Sequence, residues 1–532
     1  MADFIHQYAL QQYGRMATLS VNTNFGYFSH PYMDVADYFL NETYTFANDG
    51  LPPFANADIK SYKGVRQWPV AATPEPQLHV SRALPHSTTN MIRLAVSDIY
   101  ASGGTIAFAG EFNEWSPPNA ISIDPSVLKT YAQFILASPA LFENLTFSPQ
   151  VAILDSTDSR MASVYHLANA PGIGAAYPSD AHYYGTARLL IDGNIQYDSI
   201  LAPNASLSIV PSFTLATLQK YKVLILPDTL VLDDDQANTI LNYVQGGGVV
   251  IATGLVGTHE PWGQLASRPV LQQLQSVEGS TPYGTGVFVH TSQNLGAKYQ
   301  TADMTGDNAT KASLLRTFQN LISRYLTPDV ATSPVTQVYR AGGATAFLYH
   351  TPLNALVLHL VNYDYDPFSD TYAPKDDVQV TLHVGSQPVD DVILRSPDVA
   401  GAQALPFTRS SGGTLTFTIP HLYAWDVLYL QQNSFAPVIQ SVTPVQNIGA
   451  VGGSTLNFDV QAQDPDGNPL TYTWTVDGQV VQGVFGPQLA YQLPVSATGT
   501  YIVAVTVTDG SRRAQTSWVI TAASISFTAR AL

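Results

Sequence analysis

The sequence predicts a multidomain chain in which α/β segments precede all-β segments. Three observations lead to that expectation. The 532 residues exceed what one hydrophobic core supports, at roughly 150 residues per domain. Up to residue 328, helical stretches alternate with short apolar runs that end in polar residues, the grammar of parallel α/β units. Beyond residue 329 helical periodicity disappears, and strand-like runs recur between Gly, Pro and Asp turns.

Residues 1–146 read as a partial (β/α) barrel. "DFIHQYALQQYG" is a helix closed by Gly14, "MATLSV" a strand ending at Asn22-Thr23-Asn24, and "VADYFLNE" the next strand. "HSTTNMIRLAVSDIYASGG" is an amphipathic helix with a Ser/Thr cap and a Gly stop, and it feeds the strand "TIAFAG". "FANDGLPPFAN" and "RQWPV" between them read as one long loop. Residues 147–328 read as a doubly wound, flavodoxin-like α/β domain: "QVAILDS", "YKVLILPDT" and "VVIATG" are apolar on both faces, as buried parallel strands are. "LDDDQANTILNYVQGGG" is a helix that opens on acids, which suit the positive end of its dipole better than a metal site, and closes on glycine. Residues 329–435, with "ALVLHLVNY", "VQVTLHV" and "TLTFTIP", read as a β-sandwich. Residues 436–532, with "STLNFDVQAQ" and "GTYIVAVTVTDG", read as an Ig-like β-sandwich.

Composition excludes several functions. Charged residues make up 12% of the chain and the net charge is −17, so phosphate contact by a basic surface, and with it nucleic acid, is set aside. There are no cysteines, which removes disulfides, thiolate metal ligands and a thiol nucleophile. No apolar run reaches the ~18 residues of a membrane span, and the first residues lack the basic and apolar regions of a signal peptide. A polar, weakly charged, Tyr-rich surface (29 Tyr) suits an extracellular or cell-surface protein that meets carbohydrate, and the absence of cysteine suits a thermophile.

"YKVLILPDTLVLDDDQANTILNYVQGGGVVIATG" resembles the glutamine-amidotransferase-like domain known as the β-galactosidase trimerisation domain, which follows the catalytic barrel in several glycoside hydrolase families. No cysteine is available for the amidotransferase nucleophile, so the resemblance implies a structural role and self-association. "MATLSVNTNFG", "VADYFLNETY" and "IRLAVSDIYASGGTIAF" resemble late strands and the last helix of such a barrel. "LVLHLVNYDYD" to "IPHLYAWDVLYL" is similar to the small β-sandwich that ends these enzymes, and "DPDGNPLTYTW" to PKD and cadherin-like modules of secreted hydrolases. A full barrel takes roughly 250 residues; the resemblance therefore implies either the C-terminal part of a longer hydrolase or a chain completed by an N-terminal partner polypeptide.

Glycoside hydrolysis uses two carboxyl groups, about 5–5.5 Å apart for retention and 6.5–9.5 Å for inversion, carried at the carboxyl ends of barrel strands. Glu42 in "DYFLNETY" meets that position rule, flanked by Asn41 and Tyr44 as substrate contacts; it would equally serve as a strand-end carboxylate paired with Lys63 or Arg66. Glu111 in "AFAGEFNEW" follows the last barrel strand, beside Trp115, whose ring would stack on a sugar face. Trp68 is a further loop aromatic for substrate. No cofactor is implied. Asp464 and Asp466 would serve structural calcium or a plain Asp-Gly turn, and Asp364, Asp366 and Asp370 pose the same choice. The competing expectation is a non-catalytic surface or filament-forming protein built on the same scaffold.

Overall fold

The computed structural model describes residues 2–14, 20–23, 38–44, 60, 70–75, 89–106, 125–160, 179–202, 213–261, 264–326, 330–333, 344–352, 355–366, 369–431, 435–445 and 448–523. Two compact units emerge. Met1–Ile123, Ser148–Phe347 and Val361–Ala373 form the first; Asp124–Phe147, Leu348–Leu360 and Pro374–Leu532 form the second.

The first unit opens with a four-stranded parallel sheet, β1 (Ser20–Thr23), β2 (Tyr38–Tyr44), β3 (Val70–Glu75) and β4 (Thr105–Ile106), in that order. The expected long loop lies outside the described residues except for Lys60 and its last residue, Val70, where the unexpected strand β3 begins. Small residues and Pro74 hide it, because proline cannot donate to a ladder and the run lacks β-branched or aromatic density. The helix Thr89–Ala101 buries an almost continuous apolar face and ends where Gly103 takes φ +80°. Of the Ser and Thr residues expected to cap it, Ser87 and Thr88 lie outside the described residues. The N–H groups of Asn90 and Met91 donate to the Asp370 carboxylate at 3.2 and 3.0 Å, from 280 and 279 residues away, and Tyr365 donates its hydroxyl to the same group at 2.7 Å.

The second sheet of this unit has the order β6-β5-β7-β8-β10-β9. Its strands are β5 (Val151–Ser156), β6 (Tyr197–Ala202), β7 (Val223–Pro227), β8 (Val249–Thr253), β9 (Gly279–Tyr283) and β10 (Gly286–Thr291). All are parallel except β9, which forms an edge hairpin with β10. Strands β5, β7 and β8 are buried at every residue, which is why they read as unbroken apolar runs. The helix Asp234–Gln245 starts on a capping box: Gln236 N–H donates to Asp233 Oδ1 at 2.7 Å, and Asp233 N–H donates to Gln236 Oε1 at 3.1 Å. The "DDD" run is thus a helix start, and Asp234 also pairs with Arg268 at 3.1 Å.

A sandwich, most of whose residues belong to the second unit, is built from the sheet β12 (Ala344–His350), β13 (Leu356–Asn362), β21 (Trp425–Gln431), β17 (Asp391–Arg395), β18 (Ala402–Leu405) and from the antiparallel ladder of β16 (Lys375–His383), β20 (Thr414–Leu422) and β19 (Phe407–Arg409). The helix Pro125–Ala137 packs on it through Tyr131 and Phe134, whose rings lie 6.1 and 5.7 Å from Trp425. The Ig-like module pairs the sheet β22 (Val438–Thr443), β24 (Thr455–Gln463), β27 (Gln488–Gln492) with the sheet β23 (Ile448–Val451), β29 (Arg513–Ala523), β28 (Gly499–Thr508), β25 (Thr471–Val476), β26 (Gln479–Val480), each in that order. Its centre is Trp474 stacked on Trp518 at 5.7 Å, with Phe458 beside them. The module is seated against the sandwich rather than strung behind it. Arg395, 2% exposed, donates to Ser138 Oγ at 3.2 Å and to the Pro469 carbonyl at 2.6 Å, and Phe485 meets Phe134 edge-on at 5.8 Å.

Candidate functional site

The carboxyl rim of the β1–β4 sheet is set by register. Thr23 pairs with Asn41, Asn41 with Ala72, and Ala72 with Ile106, so among the described residues this is the last rung that crosses all four strands. Beyond it, the β2–β3 pairing continues as Glu42–Thr73, Thr43–Pro74 and Tyr44–Glu75. Glu42 therefore lies one rung past the common edge, inside a strand that runs two residues further. Glu75, which sequence reading did not single out, ends the neighbouring strand two rungs on from Glu42. Only pairing across strands reveals that proximity; the usable sequence signal was an acidic residue between Pro74 and Pro76 at the end of an extended run. Asn41 and Tyr44 share β2 with Glu42. Glu111, Trp115 and Trp68 lie outside the described residues.

A second polar group of residues lies where β5 parts from β6 on one side and β7 on the other. Such switch points are where open α/β sheets hold ligands. Immediately after β7, Asp228 takes φ +45°, the strained strand-end geometry that in other folds presents a nucleophile. Here both carboxylate oxygens are engaged: Oδ1 accepts the Leu255 N–H at 2.6 Å, and Oδ2 lies 3.1 Å from His182 Nε2. Burial lowers the His182 pKa, with Asp228 opposing it, so the ring is neutral at pH 7. The Ser156 and Ser159 hydroxyls both donate to the Val231 carbonyl at 3.1 Å, and Arg160 closes on Asp155 at 3.1 Å. These groups hold one another, and the arrangement is that of a brace.

The acidic turns resolve as local hydrogen bonding. Asp464 Oδ1 accepts the N–H groups of Asp466 and Asn468 at 2.9 and 3.1 Å, with Gly467 at φ +76°, an Asx turn. Asp370 is the helix cap described above. Among the described residues, no group of three or more His, Asp or Glu side chains is placed to hold a metal ion.

Residues 195–343 match the family model of the β-galactosidase trimerisation domain, and residues 434–522 match that of the PKD domain. The chain is similar in fold to a β-galactosidase from Bacillus circulans sp. alkalophilus, with TM-score 0.53 and 13% identity over 80% of this chain and 65% of that one. A GH42 β-galactosidase from G. stearothermophilus gives 0.48 and 13%, over 75% and 60%. A stretch of 86 residues, 16% of the chain, is 34% identical to part of chitinase A from Pseudoalteromonas piscicida, of which it spans 10%. The chain thus shares its fold with the B. circulans enzyme, of whose length it spans 65%, just under two thirds.

Proposed function

We propose that this chain is an extracellular glycoside hydrolase, or the C-terminal portion of one, which cleaves a β-linked oligosaccharide or polysaccharide at the carboxyl rim of β1–β4. Glu42 is one reacting carboxyl group and Glu75 its partner. The observation that carries the reading is the register: two carboxylate positions on adjacent parallel strands, two rungs apart at their carboxyl ends. Strands about 4.8 Å apart with a rise of about 3.3 Å per residue put these two backbone positions roughly 8 Å from each other. From backbone positions at that spacing, two glutamate side chains can be brought to the carboxyl separation of about 5–9.5 Å that flanks a glycosidic bond. One protonates the leaving oxygen, while the other attacks the anomeric carbon or activates water. Asn41, Tyr44, Trp68 and Trp115 are the substrate contacts of this reading, and Glu111 is the alternative partner to Glu75.

The test is hydrolysis of β-glucans, mannan, xylan and aryl β-glycosides by the parent beside Glu42→Gln, Glu75→Gln and Glu111→Gln. A loss of at least about a hundredfold, near 2.7 kcal/mol of transition-state stabilisation, is expected for Glu42→Gln and for Glu75→Gln. Full activity in Glu42→Gln would remove Glu42 from the mechanism, and a loss confined to Glu42→Gln and Glu111→Gln would transfer the second role to Glu111.

Self-association through the α/β domain belongs to the same reading. The excursion between β8 and β9 exposes Leu255, Leu265, Val270 and Val277 on a well-braced backbone. Gln275 bonds both the N–H and the carbonyl of Val256 at 2.9 and 2.7 Å, and Arg268 donates to the Gly257 and Leu232 carbonyls at 2.8 Å. Exposed apolar side chains on a rigid loop suit a protein interface. Leu265→Asp is expected to shift the chain from oligomer to monomer in light scattering after gel filtration. A parent that is already monomeric at micromolar concentration would rule the interface out.

A further inference from the structure

Among the described residues, three buried oxygens at the seam between the sandwich and the Ig-like module have no hydrogen-bond partner: Gln431 Oε1, Asp464 Oδ2 and Asp509 Oδ2. Their residues are 1%, 4% and 0% exposed. The rest of each group is held in place. Asp464 Oδ1 accepts the N–H groups of Asp466 and Asn468, and Asp509 Oδ1 accepts those of Ser511 and Arg512 at 2.8 and 2.5 Å. Gln431, the last residue of β21, donates its amide N–H to the Asp509 carbonyl at 3.3 Å.

Chain geometry brings the three together. Asp509 directly follows Thr508, which pairs with Thr471 across β25 and β28, so Asp509 comes level with Leu470. Asp464 is tied to Asn468, two residues before that point. The Gln431 hydrogen bond joins the sandwich to residue 509. Beside it, Gly510 at φ +105° is so close to β17 that a Cβ there would lie 2.3 Å from Ile393 Cγ2.

We propose that this seam is a site for a hard divalent cation of the calcium class, bound by Asp464 and Asp509 through their free oxygens and by Gln431 through its amide oxygen, so that the ion bolts the Ig-like module to the sandwich. The charge balance favours a cation over water. Among the described residues the buried cation of the seam is Arg395, which gives its terminal N–H groups to Ser138 and the Pro469 carbonyl while its Nε reaches neither carboxylate. One positive charge against two carboxylates leaves an excess of one negative charge. Burial is the main cause that raises the Asp464 pKa; the N–H groups of Asn468 and Asp466 oppose it, and the charges of Asp509 and Asp466 add to it. Calcium takes six to eight oxygens in a flexible geometry, so two carboxylates and an amide leave places for backbone carbonyls and water, whereas magnesium demands a near-ideal octahedron.

Calorimetric titration of the full chain, freed of metal with EGTA, tests the site with calcium and, as a control, magnesium. The parent is expected to bind calcium in preference to magnesium. Asp464→Asn and Asp509→Asn keep an oxygen for the backbone N–H groups and set an amide N–H where the free oxygen stood, and each is expected to bind calcium at least about tenfold more weakly. Gln431→Met should weaken binding and Gln431→Glu restore it, which reads the bridge to the sandwich apart from the module's own carboxylates. A parent that takes up no calcium at millimolar concentration, or uptake unchanged in both aspartate variants, would overturn the site; uptake unchanged in Gln431→Met would overturn the bolt. Should the aspartate variants fail to fold, thermal melts of the parent decide: a higher midpoint of the second unit in calcium than in EGTA supports the site, and equal midpoints overturn it.

Discussion

Replacing Gly185 with leucine is expected to destabilise the first unit by about 4 kcal/mol or more. The helices Ser179–Asp192 and Leu295–Thr305 touch through their glycines: a Cβ on Gly185 would sit 1.9 Å from the Gly296 carbonyl oxygen, and one on Gly296 would sit 2.4 Å from the His182 carbonyl oxygen. Backbone cannot yield as a side-chain tip can, so any side chain at either position drives the helices apart. The separation would also strip a buried ionic network of its geometry. Asp192 Oδ2 accepts from Arg188 Nε at 3.0 Å and from the Tyr299 hydroxyl at 2.5 Å, and lies 3.5 Å from Lys311 Nζ, which also bonds Asp303. Burial disfavours the Lys311 charge and lowers its pKa, with Asp192 and Asp303 opposing the shift, so lost partners leave an expensive buried cation. Denaturation midpoints compared with Gly449→Ala, where an added Cβ meets nothing within 4 Å, give the check. A Gly185→Leu midpoint equal to that of the control would show that the helices do not meet as described.

The parts of this fold that were legible in the sequence are those whose physics is local. Strands β7 and β8 are recognisable because burial on both faces demands unbroken apolar runs, and the Asp233 helix start because a capping box spans only four residues. What was not legible depends on partners far along the chain. The cap of the helix at residue 89 comes from Asp370, and nothing near residue 89 announces it. Strand β3 escapes because its ladder, rather than its composition, makes it a strand. The candidate site divides in the same way. Glu42 stood out by position after an aromatic strand, whereas Glu75 gains meaning only from the β2–β3 register. The switch-point group at Asp228 shows the reverse: its backbone has the form of a presenting turn, yet its side chain is committed to Leu255 and His182. Geometry that suits catalysis in outline is spent there on stability.

The second unit is expected to lose up to about 5 kcal/mol in acid through one residue, His359. Its imidazole is fully buried, stacked on Trp425 at 5.8 Å and met edge-on by Phe142 and Tyr349, each at 5.6 Å. Neither ring nitrogen makes a hydrogen bond of full geometry. Burial holds its pKa down to about 3, the Leu141 backbone offsetting this only in part. The unfolded chain protonates the same ring near pH 6.5. The contribution is therefore whole above pH 6.5, falls as acid protonates the unfolded state, and is fully lost near pH 3. Asp426, with its raised pKa, has the opposite slope between about pH 8 and pH 4, so the raw stability curve of the parent mixes the two. The difference between the parent and His359→Phe isolates the histidine, because phenylalanine keeps the ring contacts and cannot titrate. At pH 7 the two proteins should lie within about 1 kcal/mol of each other, as a similar-volume core exchange allows. By pH 4.5 the phenylalanine variant should have gained about 2.7 kcal/mol on the parent. Urea midpoints across pH 4–8, read on the transition of the second unit, make the comparison. Parallel curves would mean that water or an acceptor reaches the ring and that the aromatic box is open.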